Sequence, residues 1–325
     1  MKLQILVPQY KEDDFIVKNL LDSIALQQNV NMDDVGVIIT NDGTDVKLSE
    51  ELLNSYPFKI DYYFNKHSGV SATRNYCLDK ATAEYVMFCD ADDMFYNMCG
   101  LWILFREMSI GEFDALMSVF TEETRNPLTK EIVYINRDTD STFVHGKVYR
   151  RQYLIDNNIR FNPKLTIHED SYFNCLAQKC AKEVKFCPTP FYLWKWRDES
   201  VCRHDPKYIL KTYNNMLDSN TALVKEFLKR EKRADAQFYC TAMIYDAYFT
   251  MNKPEWINQQ NKKYRHKTEK RFQAYYKEFK NLFESIDEQI KAQIVMGIKN
   301  RMFQEGLLME SITFEDWIKH IEVMI

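Results

Sequence analysis

Three carboxylates fall within four residues at Asp90-Ala91-Asp92-Asp93, directly after the apolar run Tyr85-Val86-Met87-Phe88. Crowding them at the end of a buried strand is electrostatically costly unless a cation relieves the repulsion. Hard oxygen donors suit Mg2+ or Mn2+, which keep waters and take the rest of their shell from a diphosphate. An acidic turn that caps the next helix would use the same residues, so the run gains meaning from its neighbours. Asn41-Asp42-Gly43 follows a second apolar run. Asp-Gly is turn chemistry, and Asp42 can also accept from a nucleobase imide or a ribose. Asn65-Lys66-His67-Ser68-Gly69 leads into Val70-Ser71-Ala72-Thr73-Arg74-Asn75. There Gly69 permits a close backbone approach, the helix start favours anions, and Arg74 lies one turn in.

The elements that must position these groups are legible as apolar periodicity. Residues 3–7, 35–40, 60–64 and 85–89 read as strands. Residues 15–26 and 71–83 read as helices, the first capped by Asp13 or Asp14 with Phe15, Ile16, Leu20 and Ile24 on one face. Strand alternating with helix implies βαβ units, hence an α/β fold with a mostly parallel, Rossmann-like sheet flanked by helices. Ligands of such sheets bind beyond the carboxyl ends of the strands. Segments 8–12, 41–45, 65–71 and 90–93 should therefore converge. Further on, 114–120 and 131–135 read as strands, and 151–157 and 168–181 as helices. Beyond Pro206 glycine nearly vanishes and Leu, Lys, Glu, Phe and Tyr dominate, which predicts a helical C-terminal domain over 206–325, broken near Pro254.

With 46% hydrophobic and 28% charged residues among 325, the chain can bury a sizeable core and is not a disordered one. A net charge of −4 excludes a chain-wide field for nucleic acid. The eight cysteines form no CxxC pair, which argues against structural zinc and for reduced thiols. No run approaches the roughly 20 apolar residues of a membrane span, and the first residues lack a signal-peptide pattern. The expected location is cytoplasmic, with the inner membrane surface open to peripheral contact.

Taken together, Pro8-Gln9-Tyr10-Lys11-Glu12, the Asp42 turn, Gly69 through Arg74-Asn75 and Asp90-Ala91-Asp92-Asp93, in this order and at these intervals, resemble family 2 glycosyltransferases. Lys11 stands where that family usually has Asn, and Asn41 where it usually has Asp; neither touches the metal ligands. The resemblance covers roughly residues 1–200 and implies a GT-A catalytic domain over 1–205, with a nucleotide-sugar part over about 1–110 and an acceptor part over about 111–205. It implies a nucleotide-sugar donor, commonly a UDP-sugar, and inversion at the anomeric carbon. By position, Pro8, Tyr10, Asp42 and Arg74 would line the nucleobase pocket, with Glu12 near the ribose. Asp92 would bind Mn2+ or Mg2+ directly, and Asp90 would hold ribose or a metal-bound water. His168-Glu169-Asp170 resembles the family's Glu-Asp pair at a helix start, where the Asp is the general base; Glu169 is the alternative, and first-turn acids also favour any helix. His145-Gly146-Lys147 followed by Tyr149-Arg150-Arg151 would bound the acceptor side. Trp194, Trp196 and Arg197 would contact sugar or pyrophosphate, and His204 would be a third metal ligand, unless the tryptophans only pack a domain junction.

Two readings compete with an inverting transferase. A nucleotidyltransferase would need a Gly-rich basic loop after the first strand, which 8–12 lacks. A binding module without catalysis would not need carboxylates at 90, 92 and 170. In the C-terminal part, Lys262, Lys263, Arg265, His266, Lys267, Lys270 and Arg271 cluster around Tyr264 and Phe272. They form either a solvated helix face or a docking surface for a polyanionic acceptor or an anionic membrane. Residues 282–294 and 317–325 read as helices that cover the catalytic domain or form a homo-oligomer contact. The acceptor and the transferred sugar are not legible.

Overall fold

The computed structural model describes residues 1–126, 128–138, 142–197, 208–258, 261–304 and 312–323. The chain divides into two compact units, 1–204 and 205–325.

In the first unit, β1 (Leu3–Gln9), α1 (Asp14–Ala25), β2 (Val35–Asp42), α2 (Glu50–Leu53), β3 (Lys59–Asn65), α3 (Val70–Lys80) and β4 (Tyr85–Phe88) follow the βαβ rhythm. The chain continues through β5 (Met94–Phe95), α4 (Gly100–Ile110), β6 (Ala115–Ser118), β7 (Phe120–Arg125) and β8 (Ile132–Arg137). It ends with β9 (Val148–Arg150), α5 (Arg151–Asp156), α6 (Glu169–Cys180), β10 (Val184–Cys187) and β11 (Tyr192–Trp194). Seven strands form one sheet in the order β10-β6-β9-β4-β1-β2-β3, and four form a second, β5-β11-β7-β8. In the larger sheet β9 alone runs antiparallel to its neighbours. The chain leaves β1 toward β2 and β3 and returns to β4 on the other side of β1. That reversal is the topological switch point at which open α/β sheets bind ligands.

Local chemistry explains the element ends. Asp13 caps α1, its carboxylate accepting from Ile16 N. The buried stripe of α1 is Val17, Leu20, Leu21 and Ile24, while Phe15 is 80% exposed. Of the expected face, Leu20 and Ile24 are buried and Ile16 partly so; Phe15, in the first turn, is the exception. The stretch 114–120 is not one strand. It divides at Val119 between the two sheets, β6 pairing with β10 and β7 with β11, since both halves are apolar and nothing marks the change.

The second unit comprises α7 (Tyr208–Lys229), α8 (Arg233–Met251), α9 (Pro254–Ile257), α10 (Lys262–Glu284), α11 (Glu288–Gln304) and α12 (Phe314–Val323). Pro254 begins α9 at its first turn, where its missing N–H is harmless. The helix expected over 282–294 is broken: α10 ends at Glu284, and Asp287 caps α11 by accepting from Gln289 N at 2.8 Å and Ile290 N at 3.2 Å. Among the described residues no helix is long and apolar enough to cross a membrane.

Candidate active site

A cavity of about 420 Å3 opens at the carboxyl ends of β1, β2 and β4. Pro8, Tyr10, Glu12, Asp42, Gly69, Arg74, Asp90, Asp92 and Glu169 all line it. The four segments expected to converge do so. A second cavity, about 490 Å3, lies at the amino ends of β1 and β4 beside Met1, Thr82 and Arg151, away from these loops.

Each loop is fixed by its own hydrogen bonds. After β1, Glu12 Oε2 accepts from Tyr10 N at 2.8 Å and Lys11 N at 3.2 Å, so this acid organises its loop. After β2, Asn41 Oδ1 accepts from Thr44 N at 2.8 Å while its amide donates to Val46 O at 2.7 Å. A carboxylate could not make the second bond, which accounts for Asn at this position. Gly43 has φ +74°, and a Cβ there would lie 2.3 Å from His67 N, so both conformation and space demand glycine. Asp42, 4% exposed, accepts from Ser68 N at 2.9 Å, Gly69 N at 3.0 Å and His67 Nδ1 at 2.9 Å. It clamps the loop before α3. Tyr10 remains 42% exposed, its ring 5.1 Å from that of His67.

Beneath the cavity lies a buried charge cluster. Arg74 is 3% exposed; its Nη2 donates to Asp90 Oδ1 at 2.8 Å, and its Nη1 to Glu169 Oε1 at 3.1 Å and to Asp170 Oδ1. Burial works against the guanidinium charge, but Asp170, Asp90 and Glu169 outweigh it and hold its pKa above the ordinary value. The sequence placed Arg74 at the nucleobase. Its side chain lines the cavity, yet its donors are turned into three carboxylates. Asp90 sits below its usual pKa: burial opposes its charge, but Arg74 and His145 prevail. Asp92 is raised by burial and by Asp90, although Arg197 Nη1 donates to its Oδ2 at 2.8 Å. Arg197 also reaches Glu12 Oε1 at 3.4 Å.

Asp93 and His145 form a deeper layer that sequence reasoning did not assign to the metal. Asp93 accepts from Tyr192 OH at 2.5 Å and Lys195 N at 2.9 Å, and burial with Asp92 and Asp90 nearby pushes it far above the carboxylate range. His145, 2% exposed, stacks on Tyr192 and brings Nδ1 to 3.9 Å from Asp93 Oδ2. One ligand atom each from Asp90, Asp93 and His145 lie within 4.8 Å of one another. The packed carboxylates, one of them driven toward its neutral form for want of positive charge, are a donor set that fits a divalent cation. Gly146, next to His145, has φ +70°, and a Cβ there would meet Ser118 Oγ at 2.5 Å, so the turn that carries His145 requires glycine.

The remaining expected residues divide. Glu169 lines the cavity, and burial, then Asp170, raises its pKa to about 7. Asp170 is also raised by burial, against Arg74, and its Oδ2 accepts from Val144 N at 3.5 Å. Arg150 and Arg151 do not bound this groove. The antiparallel run of β9 carries them to the amino end of β4, where Arg150 pairs with Asp114 and Arg151 donates to Ala83 O. Trp194 packs on Phe143 and His145, and Trp196 under Arg125. His204 lies outside the described residues.

Residues 4–167, half of the chain, match the family model described as "Glycosyl transferase family 2". The chain belongs to that family. Its activity class is accordingly glycosyl transfer. Among the relatives of this family 2 member, EpsH of Bacillus subtilis, named as a glycosyltransferase, is 23% identical over 71% of this chain and 71% of its own. The poly(ribitol-phosphate) beta-N-acetylglucosaminyltransferase TarS of Staphylococcus aureus is 25% identical over 61% of this chain but only 36% of its own length. A crystal structure of TarS residues 1–349 with UDP overlays at a TM-score of 0.62 and 16% identity, covering 94% of this chain and 92% of that one. A further TarS structure, with UDP-GlcNAc, gives 0.59 at 18% identity. The overlays establish a GT-A fold with a helical region after it.

Proposed function

We propose that this glycosyltransferase is metal-dependent and inverting, and that it moves a sugar from a UDP-sugar to an acceptor hydroxyl. The observation that carries the reading is the clustering of Asp90, Asp93 and His145 at the switch point, with Asp92 lining the cavity beside them and Arg74 tying Asp90 to the Glu169–Asp170 pair. The TarS complexes with UDP and UDP-GlcNAc support a uridine donor and make N-acetylglucosamine the first sugar to test.

Tyr10, exposed at the cavity with its ring packed 5.1 Å from that of His67, offers a face on which a base can stack; Pro8 lines the same cavity, and the Asp42 carboxylate holds His67 in place. A divalent cation held by Asp90 and Asp92, with Asp93 and His145 behind them, would neutralise the charge that develops on the leaving diphosphate. Arg197, which neutralises Asp92 in this structure, can turn to the same phosphates. Asp170 is assigned as the base that takes the acceptor proton. Its Oδ2 accepts from Val144 N, while Glu169 lines the cavity and would orient the helix start. Arg74 favours the ionised form of Asp170, as a base requires. Incubation with UDP-sugars and Mn2+ should release UDP slowly by background hydrolysis, fastest for one donor. Release that is equal with and without metal, or none from any UDP-sugar, would remove the reading.

A further inference from the structure

Helix α10 carries its cations in two distinct ways. Arg265 pairs with Glu269 at 3.6 Å, Arg271 with Asp218, and Lys280 with Glu322 at 2.8 Å. These flank a face on which Lys263, His266, Lys267, Lys270 and Lys277 are exposed and, among the described residues, make no ion pair. At 100° per residue these five fall within a third of the helix circumference. Ala274 and Asn281 are the other residues on that line, and no acid interrupts it before Glu284. The strip from 263 to 277 is about 21 Å long at 1.5 Å per residue. The opposite face buries Thr268, Phe272, Tyr275, Tyr276, Phe279, Leu282 and Phe283, so the aromatics that interleave the cluster in sequence belong to the core.

Such a strip is unfavourable in isolation. Like charges at i,i+3 and i,i+4 each destabilise a helix by about 0.2–0.5 kcal/mol, and the lysine pairs 263–267 and 267–270 are such pairs. A net charge of −4 means that general basicity does not explain it. We propose that this face docks a phosphate-bearing polyanionic polymer, the acceptor of the transfer proposed above, on which this inference rests. Charge complementarity selects the occupant. A helix that lies in a membrane interface buries an apolar face in the headgroup region; the apolar face of α10 is already packed in the unit's core and its exposed face offers no wedge. An extended polymer needs only regularly spaced cations.

The probe is long-chain inorganic polyphosphate, titrated into the full chain at 50 and 200 mM KCl. With four lysines engaged, affinity should fall about 50-fold between the two salts, and each lysine neutralised to Gln should lower the salt slope by about 0.7. Combined Lys263→Glu, Lys267→Glu, Lys270→Glu and Lys277→Glu should lose polyphosphate binding at least tenfold. The same charge change at Lys130, Lys164, Lys182 and Lys229 should lose less than twofold. UDP affinity with Mn2+, read on the same samples, should be unchanged in both; this separates failure of the docking surface from failure of the transfer reading. Thermal melts verify folding, and the single Gln variants give the answer if the fourfold variant does not fold. Equal polyphosphate affinity in the strip and control variants, or none in the parent, overturns the proposal. Tighter, strip-dependent binding to vesicles of anionic lipid also overturns it, in favour of a membrane surface.

Discussion

The charges of the first unit and those of α10 are arranged in opposite ways. Around Arg74, one buried guanidinium and three part-buried carboxylates are bonded together, while along α10 four lysines are exposed with no acid opposite them. In a low-dielectric interior an uncompensated charge is severely penalised, so the first arrangement survives only if every partner is held in place. In water the second costs tenths of a kcal/mol and leaves the charges available to something that arrives. The buried set provides position, and the exposed strip provides attraction. The two should respond differently to mutation, pH and salt.

The largest effect should come from Arg74→Met. It leaves the part-buried Asp90, Glu169 and Asp170 without their cation, and breaking a fully buried ion pair costs about 3–5 kcal/mol, an upper figure for this cluster. The melting temperature at pH 8 should fall steeply, and part of the loss should return at pH 5 as the carboxylates take up protons. A melt indistinguishable from the parent's at both pH values would mean that the cluster is not an integral unit. Asp170→Asn should come next: it keeps shape but removes the proton acceptor, so transfer should drop about 10²–10⁴-fold with UDP affinity in Mn2+ unchanged. Glu169→Gln should be milder; if Glu169→Gln is the inactive variant and Asp170→Asn the active one, the roles are reversed.

A smaller effect concerns pH. The Glu169 pKa rises from 4.5 to about 7 on folding through burial. The folded state therefore binds this proton more tightly than the unfolded one, and the group's contribution declines as pH rises from about 4.5 to about 7. Metal-free Glu169→Gln should accordingly match the parent near pH 4.5 and exceed its melting temperature at pH 8. Equal melts at pH 8 would place the titration elsewhere. The mildest expectation is Asp42→Ala. It leaves the Ser68 and Gly69 N–H groups without their acceptor, a loss of about 1–3 kcal/mol, felt as a raised donor KM with kcat nearly kept. A kcat loss matching the Asp170→Asn loss would contradict a purely positioning role.

The first four strands and the loops that follow them were legible because periodicity and short motifs are local. Runs such as Leu3-Gln4-Ile5-Leu6-Val7 mark strands, and loop residues at their ends must meet once the sheet is parallel. Groups brought together over long separations were not legible. Nothing local ties Arg74 to Glu169 and Asp170, nor His145 to Asp93, because these meetings depend on where α6 and the segment before β9 pack. The antiparallel course of β9, which carries Arg150 and Arg151 away from the groove, is invisible for the same reason. The paired and unpaired lysines of α10 look identical in sequence, since their difference lies in partners such as Glu322 from another helix.

The central claim is that Asp90 and Asp92 hold a divalent cation on which nucleotide binding depends. Calorimetric titration of UDP into the parent chain and into Asp92→Asn, each with Mn2+ and with EDTA, tests it most directly. UDP should bind the parent only in Mn2+, and Asp92→Asn in Mn2+ should resemble the parent in EDTA. Equal UDP affinity in all four titrations would contradict the account.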